Sequence, residues 1–194
     1  MTEYEWDKKL KIHTVGRDAS NEDNHHYPYE PTPYVVLERL AESGYINVNT
    51  LLVDYGCGKG RVGFFLNDRL NCKTIGIEYD ENIFEQAKSN NYSYKGDGCE
   101  FVCASAENYE IESADAFYFF NPFSINLLQA VIGKIVQSYY NSPRTMQLFF
   151  YYPSDEYVAY LMTVAELEFV DEIMCDDLFK GDNSRERILI FELV

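Results

Sequence analysis

One segment constrains this chain more than any other. In Asp54-Tyr55-Gly56-Cys57-Gly58-Lys59-Gly60, glycines alternate directly after the apolar run Leu51-Leu52-Val53. Residues 51–55 have the composition of a buried strand, and a helix follows over residues 61–70. Glycine lets a backbone turn tightly and approach a ligand with no Cβ in the way. The helix after the turn aims its unsatisfied N–H groups at whatever fills it, which favours a carboxylate or phosphate. In an open α/β sheet the carboxyl end of a strand is also the usual ligand crevice. The alternative is a glycine turn of structural use only.

Strand-like and helix-like segments alternate from there. Residues 74–78 form a second strand ending in Glu78, and Asp80 caps a helix carrying Ile83, Phe84 and Ala87 on one face. Residues 100–103 and 114–120 read as a third and fourth strand. Ser124 is placed to cap a helix with Ile125, Leu128, Ile132 and Ile135 as its stripe. Residues 145–152 make a fifth strand, and Tyr157, Tyr160, Leu161 and Val164 then repeat at helical spacing. Upstream of the glycine turn, Thr32 is expected to cap a helix with Pro33 in its first position, Val36, Leu37 and Leu40 on its apolar face, and Gly44 at its end.

The last part differs. Residues 169–175 and 187–194 are two strand-like runs joined by a polar loop with no helix between them, so they are expected to pair antiparallel. The sum is an α/β fold: a doubly wound, mostly parallel seven-stranded sheet with a C-terminal antiparallel hairpin and helices on both faces. Residues 1–31 show no strong periodicity and read as an N-terminal arm or lid. Residues 32–194 read as one domain, in keeping with a length of 194 residues.

Charge narrows the partners. Asp and Glu total 32 against 16 Lys and Arg, a formal charge of −16, which disfavours nucleic acid as a partner. No apolar run reaches the length of a membrane span, and the first forty residues lack the order of a secretory signal. The five cysteines, Cys57, Cys72, Cys99, Cys103 and Cys175, are odd in number and scattered, so they read as reduced thiols in a cytoplasmic protein. Cys99 and Cys103 read as packing residues, and no metal site is expected. Aromatic residues at 16% exceed what a plain core needs and hint at rings lining a pocket, although Tyr-rich cores also occur.

Glu78 lies 18 residues past Gly60, where an acid can accept hydrogen bonds from both ribose hydroxyls of a nucleoside. Together, the D-x-G-x-G-x-G turn at 54–60, the strand-end Glu78, the Asn121-Pro122-Phe123 segment closing the fourth strand and the helix-free terminal hairpin resemble the class I, Rossmann-like S-adenosylmethionine-dependent methyltransferases. The resemblance spans roughly residues 33–194. It implies S-adenosylmethionine as cofactor, with Gly56, Gly58 and Gly60 against its methionine portion, Glu78 on its ribose, Tyr79 beside its adenine, and Asp54, Cys57 and Asn121 also among the cofactor-binding residues. Ser105 and Ala106 stand where the family often carries an acid-plus-small pair on the adenine, with Glu107 as an alternative carboxylate. Tyr29 and Thr32, at the end of the arm, are expected to fold over the cofactor.

The resemblance also places catalysis at Asn121, Pro122 and Phe123. In related N-methylating enzymes an Asn/Asp-Pro-Pro-aromatic segment aims the target nitrogen, and the ring stacks on a planar acceptor. Here there is one proline, with Phe123 in place of the second. Methyl transfer needs alignment and exclusion of water more than acid–base groups, so the absence of an obvious His/Asp/Ser set is no objection. His25-His26 reads as part of a solvated arm, and Tyr151-Tyr152-Pro153 as a border of the crevice or as packing.

The acceptor is unspecified, with a protein or small-molecule amine favoured. Two other readings stand beside this one. A non-catalytic cofactor-binding or scaffolding domain of the same fold would carry the same turn. An NAD-dependent oxidoreductase is allowed by Gly58-Lys59-Gly60-Arg61-Val62-Gly63, a G-x-G-x-x-G hexapeptide with Glu78 20 residues beyond Gly58.

Overall fold

The structure is a computed structural model that describes residues 1–16, 30–181 and 183–194. Seven strands form one sheet in the order β3-β2-β1-β4-β5-β7-β6. They are β1 (Leu51–Tyr55), β2 (Lys73–Glu78), β3 (Cys99–Cys103), β4 (Ala116–Phe119), β5 (Gln147–Tyr151), β6 (Leu167–Met174) and β7 (Arg187–Leu193). The first five are parallel, and β7 inserts antiparallel between β5 and β6. Among the described residues between β6 and β7 the only regular structure is a short 3₁₀ turn, Asp176–Leu178, which is why the pair closes as a hairpin.

The order reverses at β1, which pairs with β2 on one side and β4 on the other. In a doubly wound sheet this reversal opens a crevice outside the strand ends. Asp54 sits level with Gly76 and Tyr118, and Tyr55 level with Ile77 and Phe119, so the three carboxyl ends lie flush.

The helices are α1 (Glu3–Leu10), α2 (Tyr34–Glu42), α3 (Arg61–Leu70), α4 (Glu81–Ser93), α5 (Ile125–Asn141) and α6 (Asp155–Leu161). Both faces of the central strands are buried, while the edge strand β6 stays largely exposed. Alternate strand residues feed two cores: Leu52, Tyr118, Phe149 and Ile190 pack with side chains of α1, α2 and α3, while Val53, Phe119, Phe150 and Phe191 pack with those of α5 and α6. Burial on both faces explains why these strands are continuous apolar runs without polar alternation.

Much of the aromatic content goes into this second core. Tyr55 stacks on Phe119 at 5.2 Å, Phe119 on Phe150 at 4.6 Å, and Phe150 meets Phe191 edge-on at 6.0 Å. Such pairs contribute about 0.5–1.5 kcal/mol each beyond area burial. They stitch β1, β4, β5 and β7 together at mid-sheet, away from solvent.

Two local expectations change. The irregular stretch expected at the start holds a helix, α1, closed by a reciprocal capping box between Thr2 and Glu5, with Trp6 and Leu10 buried in the core. Thr32 does not cap α2. That helix starts at Tyr34 after Pro33, and the Thr32 hydroxyl shares a buried 3.1 Å hydrogen bond with the Tyr118 hydroxyl on β4.

Candidate functional site

The glycine turn connects β1 to α3 at the reversal of strand order. Gly56, Gly58 and Gly60 all take left-handed backbone, with φ of +73°, +56° and +87°. Side-chain-bearing residues adopt this conformation at a cost of about 1–2 kcal/mol each. Space forbids a side chain as well: a Cβ on Gly56 would stand 2.5 Å from Pro122 Cβ, and one on Gly60 would stand 2.6 Å from the Phe101 ring. The turn therefore lies in contact with the segment that closes β4. Gly63, last glycine of the hexapeptide, lies on α3 where a Cβ would meet Thr74 Oγ1 at 2.9 Å, so its smallness serves helix-to-sheet packing.

Glu78 braces the turn from the end of β2. Gly58 N–H donates to its Oε2 and Asp80 N–H to its Oε1, both at 2.9 Å. Burial raises the Glu78 carboxyl above its ordinary range, and these backbone N–H groups pull against that rise. Each carboxylate oxygen keeps a second lone pair, so the group can still accept from paired hydroxyls. Tyr79 beside it is 49% exposed.

Asp54 ends β1 beneath the turn and is 4% exposed. Its Oδ2 has no hydrogen-bond partner among the described residues. Burial, reinforced by the charge of Glu78, pushes its carboxyl up to about 8. A buried carboxylate oxygen without a donor is costly unless a cation or donor arrives to satisfy it. The site thus fits a positively charged nucleoside such as a sulfonium with an amino-acid tail. Cys57 is buried, its thiol pushed well above the ordinary range by burial, which makes it a packing group within the turn.

After β3, Ala104 N–H donates to Glu78 O at 3.0 Å and holds the next turn beside β2. There Ser105 Oγ donates to Glu107 Oε2, and Ala106 is buried at the start of a 3₁₀ turn, Ala106–Asn108. The two alternatives for the adenine contact, Ser105 and Glu107, are thus one hydrogen-bonded unit.

The ends of β4 and β5 are built differently. Asn121 and Tyr152 both take left-handed backbone without being glycine, at φ of +39° and +51°. Asn121 Nδ2 donates to Tyr152 O at 2.6 Å, and its Oδ1 accepts from Ser154 N–H at 3.2 Å. Its amide thereby joins the two strand ends, with one N–H and one oxygen lone pair left over. Tyr152 is held further by Asn183 Nδ2 on its hydroxyl at 3.0 Å and by the Arg185 guanidinium 4.4 Å over its ring.

Phe123 corrects an expectation. Its ring is 2% exposed, edge-on to Phe119 at 6.3 Å in the second core, and Tyr157 Oη donates to its carbonyl. It has no face to stack on an acceptor. The half-buried aromatic rings at this edge are instead Phe120 and Tyr152, 6.4 Å apart.

Of the arm residues, Thr32 is buried and its carbonyl accepts from Arg61 Nη1 at 3.1 Å. Tyr29, His25 and His26 lie outside the described residues. Sequence reasoning missed Arg61 and Asn90, which tie the N-terminal segment to the turn, as well as Asn183 and Arg185. Nothing local marks them, since their partners are 29 or more residues away. Among the described residues no three His, Cys, Asp or Glu side chains group as metal ligands, and no helix is long and apolar enough to cross a membrane.

Fold and site together define a Rossmann-like nucleoside-binding domain of the methyltransferase kind. Residues 52–141 match a family model described as a methyltransferase domain. A protein-lysine N-methyltransferase of Saccharolobus islandicus (strain REY15A) is 32% identical over 66 residues, which are 34% of this chain and 41% of that protein. The tRNA (uracil-54, C5)-methyltransferase of Pyrococcus abyssi, solved with S-adenosyl-L-homocysteine, superposes with a TM-score of 0.60 at 17% identity, covering 86% of this chain and 40% of that one. An RNA methyltransferase of Salinibacter ruber, also with S-adenosyl-L-homocysteine, gives 0.55 at 21% identity over 84% and 94%. The chain thus spans about two fifths of the curated relative. Its fold and the methyltransferase-domain match over residues 52–141 are those of the class I, Rossmann-like S-adenosylmethionine-dependent methyltransferases, and S-adenosylmethionine is the cofactor of that class. The dinucleotide reading of residues 58–63 is set aside.

Proposed function

We propose that this chain is an enzyme that transfers the methyl group of S-adenosylmethionine to an amine nitrogen of a protein or small molecule. The observation that carries the reading is the close approach of Gly56 to Pro122, which sets a cation-seeking turn against the strained, polar end of β4. Bound S-adenosylmethionine supplies a methyl already activated on a sulfonium.

In this reading Gly56, Gly58 and Gly60 admit the methionine portion, with Cys57 packing the turn from inside. Asp54 offsets positive charge beneath it. Glu78 accepts from the ribose hydroxyls, Tyr79 covers one side of the adenine, and the Ser105–Glu107 pair with Ala106 lines the other. Thr32 closes the edge towards β4. The Asn121 amide joins Tyr152 and Ser154, and its Oδ1 keeps a second lone pair, so aiming of the acceptor falls to that oxygen with the backbone carbonyls of Asn121 and Pro122.

An amine acceptor is supported by the charge of −16, which attracts cations over a Debye length and repels phosphates. The protein-lysine N-methyltransferase of S. islandicus points the same way. Localisation in the cytoplasm and residues 32–194 as the cofactor domain belong to the same proposal. The test is incubation with tritiated S-adenosylmethionine and a panel of lysine-bearing proteins, polyamines and RNA. Label on amines sustains the reading. Label on RNA alone overturns the acceptor class, and cofactor binding without transfer to any of them favours the non-catalytic binding domain.

A further inference from the structure

The N-terminal segment is fastened to the glycine turn by a buried polar cluster that neither the family match nor the turn itself requires. Arg61, first residue of α3 and next to Gly60, is 2% exposed although it carries a charge. Its Nε donates to Thr14 Oγ1 at 2.7 Å and its Nη1 to Glu3 Oε2 and Thr32 O, while its guanidinium lies 4.3 Å over the Tyr34 ring. Asp7, 4% exposed, accepts from Thr14 N–H at 2.5 Å, Thr14 Oγ1 at 2.7 Å and Tyr34 Oη at 2.6 Å.

A second fastening lies on the other side of Gly60. Asn90, buried on α4, accepts from His13 N–H at 2.8 Å, and its Nδ2 donates to His13 O at 3.3 Å and to Lys59 O at 3.0 Å. Residues 13 and 14 therefore run across the turn, with Asn90 gripping Lys59 before Gly60 and Arg61 gripping Thr14 after it. Gly58, in contrast, is braced by Glu78 from β2.

Burying an arginine with two acids is a poor way to gain stability alone, since desolvation offsets most of the attraction. It is an effective way to fix geometry, because a loop held in its binding conformation loses less entropy when the ligand arrives. We infer that Arg61 and Asn90 are positioning residues that clamp residues 59–61 through the N-terminal segment, and that this clamp sets affinity for the amino-acid tail of the cofactor while leaving the nucleoside end unaffected. The inference rests on the reading of the turn as the seat of that tail.

The test uses the full chain and two probes: S-adenosylhomocysteine, which has the tail, and 5′-methylthioadenosine, which keeps the nucleoside and thioether without it. Both are titrated calorimetrically into wild type, Arg61→Lys, Asn90→Ala and Glu3→Gln. The expected result is about tenfold weaker S-adenosylhomocysteine binding in Arg61→Lys and Asn90→Ala, with methylthioadenosine held within about twofold. Glu3→Gln changes only the half-exposed rim of the cluster, so it carries the test with the same split, at about threefold, should Arg61→Lys fail to fold. A purely structural cluster would weaken both probes together or neither, and either result overturns the inference alone. A wild type that binds neither probe overturns the underlying reading and this inference with it.

Discussion

The two halves of the crevice are made by opposite means. On the β1–β2 side the backbone takes left-handed conformations at glycines, Gly56, Gly58 and Gly60, and the bracing comes from a neighbouring strand end. On the β4–β5 side the same conformations are forced on Asn121 and Tyr152, and hydrogen bonds from residues 31 or more positions away hold them there. The first half has room for a ligand's backbone-like tail and a buried acid that seeks a cation. The second half stores strain, which persists only where the surroundings over-determine it and which clusters at functional sites.

Four substitutions set the halves against each other. The largest effect is expected from Gly56→Ala, where a positive φ combines with a 2.5 Å clash against Pro122. It should cost about 3 kcal/mol of stability, read by urea unfolding. A cost under about 1 kcal/mol would mean that the turn is not pressed against β4.

Next comes Asp54→Asn. Because the folded carboxyl is raised to about 8 from its ordinary 3.8, the native state holds the proton more tightly than the unfolded chain. Its contribution to stability is therefore fully present at low pH and is lost as pH rises from about 4 through about 8. A cationic ligand favours the ionised form, so binding near pH 7 should release protons, and affinity should climb with pH until about 8. Unfolding across pH and titration in buffers of different ionisation enthalpy read both effects, and Asp54→Asn should flatten them. Proton uptake on binding would contradict the assignment.

On the other half, Asn121→Gly relieves the left-handed strain but removes two hydrogen bonds, for a net cost of about 1 kcal/mol. It should lower kcat several-fold and leave S-adenosylhomocysteine affinity unchanged, because only the acceptor side moves. Equal losses in both would blur the division. The smallest effect is expected from Phe123→Leu, which should cost about 1 kcal/mol of core packing and leave kcat within about twofold. A large drop in kcat would return Phe123 to the reacting centre.

How legible each half was in the sequence follows from how it is built. Glycine spacing after an apolar run states a backbone requirement in the residues themselves, so the turn, α3, Glu78 and the Asp80 cap could all be read locally. The terminal hairpin was legible because no helix-spaced stripe separates its strands. Phe123 was misplaced because a phenylalanine after a proline is the same letter whether it faces a core or a crevice. The Thr32 hydroxyl was misread as a cap because its partner, Tyr118, is 86 residues away. Helix α1 escaped notice with only eight residues, although Thr2 and Glu5 carried its capping signal and Trp6 and Leu10 its buried face.

The most direct test of the central claim is calorimetric titration of S-adenosylhomocysteine into wild type and Glu78→Ala. One site per chain is predicted, weakened about hundredfold when the acid that braces Gly58, and that we propose meets the ribose, is removed. Binding that ignores Glu78→Ala, or no binding to the wild-type chain, would contradict it.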